Sequence, residues 1–175
     1  RYFDEGKGAM LPLGDAPPLR ALVTSVDRHL GVTALSEAAV RYAINNFVLD
    51  PTAVRAGTVP LERNASAAQV AQLTPAQVQL AHEAIRSEVN RLLPTRHHLD
   101  AVTTLPTPVD DTSGRGSISA NVYGTMQAVT GGLALAAGRF NASLGTPALT
   151  ITQQLADDLT DGVIDGVALD GRSVF

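Results

Sequence analysis

Thr74-Pro75-Ala76-Gln77 is the tightest constraint on what this chain folds into. A hydroxyl residue, a proline and a glutamine at this spacing meet the needs of an α-helix start. They supply an acceptor for orphan N–H groups, a pre-set φ, and a side chain reaching back to the cap. Val78, Ala81, Ile85, Val89 and Leu92 then recur at helical spacing as far as Pro94. Glu83, Arg86, Glu88 and Arg91 read as the solvated face of the same helix.

Other segments repeat the pattern. From Thr33, Leu35, Ala38, Ala39, Tyr42 and Asn46 share a face that Val40, Ala43, Ile44 and Phe47 widen, and Asp50-Pro51 ends it. Ser66 and Gln69 have capping-box spacing and predict a short helix to about Leu73. Ser117 or Ser119 starts a helix with Val122, Met126, Val129 and Leu133 on one side. Gly131-Gly132 inside it predicts close approach of another backbone. The last helix runs from Pro147 to Thr160, with Ile151, Leu155 and Leu159 inward.

Residues 1–32 read differently. Tyr2-Phe3, a Gly-rich turn through Gly6 and Gly8, and Ala9-Met10-Leu11 suggest a hairpin, and Leu19 to Val23 another short strand. Two or three short strands do not make a stable sheet alone. They lean on the helices or complete a β-domain upstream. The expected fold is mainly α, a bundle of about four helices with a small N-terminal β element. The helical domain spans residues 33–175.

Composition narrows the function classes. Twenty-six alanines and only 4% aromatic residues favour closely packed helices. A formal net charge of −4 argues against nucleic acid as a partner. Zero cysteines rule out disulfides and thiolate chemistry. No apolar run reaches the roughly 18–20 residues of a membrane span. The start at Arg1 reads as a processed or excised piece, any signal peptide or lipid anchor lying upstream.

Few residues invite chemistry. Asp158, Asp161, Asp165 and Asp170 are the candidate calcium ligands, because hard cations take several carboxylate oxygens from a loop. Their spacing departs from the EF-hand series, and the Asp-Gly pairs at 161, 165 and 170 equally predict tight turns with glycine at positive φ. His97-His98 with Asp100 and Asp110-Asp111 is a second metal candidate, weakened because adjacent histidines point apart. No nucleophile elbow, P-loop, dinucleotide fingerprint or zinc-protease helix is present. No catalytic or cofactor-binding residue is therefore assigned.

Several segments together resemble an uncharacterised alanine-rich helical module of bacterial exported proteins and lipoproteins. In that family the module follows an Ig-like or carboxypeptidase-regulatory-like β-domain. Tyr2-Phe3-Asp4-Glu5-Gly6 and Pro18-Leu19-Arg20-Ala21 look like the family's outgoing β segment. Val32-Thr33-Ala34-Leu35-Ser36-Glu37-Ala38-Ala39 is similar to its helix opening V-T-P-L-T-E-L-A, with Ala34 in place of the proline. Asn121-Val122-Tyr123-Gly124 and the run from Leu155 to Gly166 look like its last two helices.

The resemblance implies export to the periplasm or cell surface and a place in a larger multidomain or assembled protein. It carries no catalytic residues. The expected function is a non-catalytic structural or interaction module of a surface or secreted protein, assembling through its N-terminal strands. The alternatives are a soluble domain that holds a small molecule between helices and an enzyme without a recognisable motif.

Overall fold

A computed structural model of the chain describes residues 2–4, 9–11, 19–24, 32–100, 104, 117, 118, 120–126, 129 and 148–174. Among these the protein is mainly α-helical. The central helix, α1, spans Ala34–Ala43 and continues as a π-helical turn over Ile44–Val48. Thr33 caps it, with its hydroxyl accepting from Ser36 N–H while the Ser36 hydroxyl accepts from Thr33 N–H. The capping box is thus built with serine in the place where glutamate is usual.

Asp50-Pro51 ends this element as expected and also begins another: Asp50 caps α2, Pro51–Arg55. Both other capping boxes form. Ser66 and Gln69 open α3, Ala67–Val70, a single turn that stops short of Leu73. Thr74 and Gln77 open α4, Pro75–Leu92, with Pro75 in its first turn. Residues 120–126 are helical, and Ser117 Oγ accepts from Ala120 N–H at their start. The final helix, α5, spans Ala148–Asp158 and tightens into a 3-10 turn over Leu159–Asp161, so the α-helical part ends before Thr160. Gly131-Gly132 and Thr146-Pro147 lie outside the described residues.

Helix α1 packs on both α4 and α5. Leu35, Ala38 and Ala39 meet Ile85 and Val89 from α4 and Ala156 and Leu159 from the C-terminal end, with Leu99 and Tyr123 completing the cluster. On another side Val40, Ala43 and Ile44 meet Val78 and Ala81, joined by Leu22. The alanines at 38, 39, 43, 81 and 156 are fully buried, which lets the helices approach closely. A third cluster, Val54 and Leu61 with Ala168 and Leu169, fastens the C-terminal tail to α2.

Two positions on α4 depart from the sequence expectation. Glu88, expected on the solvated face, is buried. Its carboxylate accepts from Arg91 Nε and Nη2, both at 2.7 Å, and from Ile164 N–H at 2.9 Å. Leu92, expected inward, is 53% exposed at the end of the helix.

Candidate functional site

The tail after α5 is held by aspartates. Asp158 is completely buried, and its Oδ1 accepts from the N–H groups of Gly166 at 2.8 Å, Val167 at 3.1 Å and Asp165 at 3.3 Å. Asp161 Oδ1 accepts from Val163 N–H, Asp165 Oδ1 from Val167 N–H, and Asp170 Oδ1 from Arg172 N–H, each two residues ahead. The following glycines, Gly162, Gly166 and Gly171, have φ of 89°, 87° and 78°. The Asp-Gly pairs are therefore the tight turns that their composition predicts.

Burial pushes the Asp158 carboxyl up, and the nearby Asp165 charge adds to this against three N–H donors. Burial also raises Asp161, helped by Asp165 and Asp158. These three carboxylates feel one another. Asp170 is engaged separately: burial would raise it, but Arg172, donating from Nε at 2.7 Å, brings it below its ordinary value. Among the described residues no group of three or more histidine or carboxylate side chains is arranged to hold a metal ion. The Oδ1 atoms of Asp158, Asp161 and Asp165 accept from backbone N–H groups, while Asp158 Oδ2 is buried without a hydrogen-bond partner.

His97, His98 and Asp100 likewise form no such group among the described residues. His97 closes a 3-10 turn, Thr95–His97, and its Nε2 accepts from Arg96 Nε at 3.0 Å. Asp110-Asp111 lies outside the described residues.

An ion network the sequence reading missed runs through the core. Glu37, fully buried on α1, accepts from Arg20 N–H at 2.9 Å, Arg20 Nη2 at 2.7 Å and Arg41 Nε at 3.0 Å. Arg41, itself buried, donates from Nη1 to Asp157, whose other oxygen accepts from Arg63 Nε at 2.8 Å. Arg20 also donates to the Arg63 carbonyl at 2.8 Å. The chain Arg20–Glu37–Arg41–Asp157–Arg63 stitches residues 19–24, α1, the loop before α3, and α5 together. The i, i+4 spacing of Glu37 and Arg41 was the one local hint of it.

A cavity of about 600 Å³ lies beside the N-terminal end of α1. Ala34 and Leu35 form one wall and Leu155 of α5 another. Val122, Met126 and Val129 line it from the helical segment after Ser117, with Ile118 at its start. Tyr123 lies in the same lining, its hydroxyl hydrogen-bonded to the hydroxyl of the cap residue Thr33. His97 is the one titratable imidazole there. Such a lining removes apolar surface from water and offers little to polarise a bond. No family model, no curated protein and no solved structure matches the chain.

Proposed function

We propose that this chain is a non-catalytic structural or interaction module of a bacterial surface or secreted protein. The observation that carries the reading is the use to which its ionisable side chains are put. Arg20, Glu37, Arg41, Asp157 and Arg63 form one internal network, Glu88 accepts from both Arg91 and Ile164 N–H, and Asp158 gathers three backbone N–H groups. Groups so engaged hold elements in register. A catalytic acid or base has to reach a substrate proton. The resemblance to exported alanine-rich helical modules supports the assignment to the periplasm or cell surface.

The finer part of the proposal concerns the N-terminal segment, read as a small β element that pairs with a neighbouring domain or a second copy. Tyr2–Asp4 lies antiparallel to Ala9–Leu11, Tyr2 opposite Leu11 and Asp4 opposite Ala9, which supports it. Two strands leave two edges whose backbone groups can template pairing with another chain. Sedimentation of the whole chain across a concentration series tests the proposal. Association that disappears on deleting residues 1–18, with the helical far-UV spectrum retained, is expected. A monomer at every concentration, with or without those residues, refutes the assembly role.

A further inference from the structure

Ile118, Val122, Met126 and Val129 are spaced so that a helix carries them on one face, and all four line the cavity. Leu35 and Leu155 line it from α1 and α5. In a close-packed interior these apolar walls would close on one another. Here they stand apart, and Ile118 and Val129 remain 60% and 55% exposed. Atoms lining such a space lack contact partners on one side, so an apolar occupant gains dispersion contacts and releases water together.

We propose that this cavity is the binding site of a neutral, largely hydrocarbon small molecule. Its volume of about 600 Å³ suits one, falling within the roughly 300–1,000 Å³ typical of small-molecule sites. The chemistry of the lining sets the class of ligand. The lining is apolar apart from Asn121, Thr125, Tyr123 and His97: the Tyr123 hydroxyl is committed to Thr33 and His97 Nε2 to the Arg96 guanidinium, which leaves His97 Nδ1 as a buried nitrogen without a partner. A charged ligand would lose its hydration against these walls, and that loss outweighs what an apolar wall returns. Met126, with a flexible and polarisable thioether, lets the pocket follow the outline of different hydrocarbons. The site does not depend on assembly: a chain that stays monomeric keeps it.

The test is fluorescence titration of the whole chain with N-phenyl-1-naphthylamine, which is neutral, and with 1-anilinonaphthalene-8-sulfonate, its anionic counterpart. Saturable enhancement with one neutral dye per chain is expected, with clearly weaker binding of the sulfonate. Met126→Trp fills the cavity, and Val129→Asp puts a charge on its exposed rim. Both should abolish binding while the far-UV spectrum is kept. If Met126→Trp does not fold, Val129→Asp, a surface substitution, decides alone. No saturable binding, equal affinity for the sulfonate, or binding retained in either folded variant overturns the proposal.

Discussion

Glu37 and Arg41 lie one helical turn apart on α1, and both are withdrawn from water. A buried pair contributes little net stability over an apolar pair of the same shape, but removing one partner strands the other. Glu37→Ala leaves Arg41 with Asp157 and the Gln153 carbonyl, and leaves Arg20 with only the Arg63 carbonyl of its hydrogen bonds. It should lower the unfolding free energy by about 3–5 kcal/mol, read from urea denaturation. A loss no larger than that of a surface substitution would mean that water reaches the network.

The carboxyls of the tail set a pH dependence of known sign. Asp158 and Asp161 are raised in the folded protein, chiefly by burial. Folding therefore takes up protons there, and stability falls as the pH rises through their folded pKa values. Glu88, lowered chiefly by its hydrogen bonds from Arg91, runs the other way: its contribution is present above the unfolded pKa and is lost as pH falls through the folded one. Asp161→Asn keeps an oxygen for Val163 N–H and removes a repelling charge. Its melting temperature should exceed the parent's at about pH 7 and converge with it near roughly pH 4. At this scale the turns were legible, because an Asp-Gly pair acts within its own few residues. The burial of Asp158 was not, since the same letters describe an exposed turn.

At the scale of elements, four helix starts follow their local chemistry. Thr33, Asp50, Ser66 and Thr74 each accept from the N–H expected of a cap. Element ends were less legible. The π-helical turn at Ile44–Val48 coincides with two asparagines bonded across the fold, Asn45 to the Glu62 backbone and Asn46 to the Thr160 carbonyl. Gly162, which ends the 3-10 turn after α5, carries both kinds of glycine requirement. Its φ is 89°, and an added Cβ would stand 3.2 Å from Tyr42 Cε2. Gly171 has φ of 78° with nothing within 4 Å of an added Cβ. Both Ala substitutions should cost about 1–2 kcal/mol for the left-handed backbone. Gly162→Ala should cost more, because the Tyr42 ring must also move. Equal losses in thermal unfolding would show that the ring gives way freely.

For the whole molecule, the division at residue 32 assigns the strand-like segment to one side and the helices to the other. The described contacts tie part of that segment to the helices. Arg20 binds Glu37, and Leu22 lies in the cluster with Val40, Ala43, Ile44, Val78 and Ala81. Deleting residues 1–23 should therefore lower the melting temperature of the helical body markedly, whereas deleting 1–18 should leave it near the parent's. Equal melting of the two truncations would remove Arg20 and Leu22 from the list of residues that hold the fold. The sequence alone determined the helical class, the helix starts at Thr33, Ser66 and Thr74, and the Asp-Gly turns, because capping, 3.6-residue periodicity and glycine's positive φ all act over a few neighbouring residues. Only tertiary structure decided which charges are interior. Arg41 meets Asp157 across 116 residues of chain, and Glu88 meets Ile164 across 76. A carboxylate or guanidinium stays buried where a partner satisfies it, and for Arg41 and Glu88 that partner comes from a distant element.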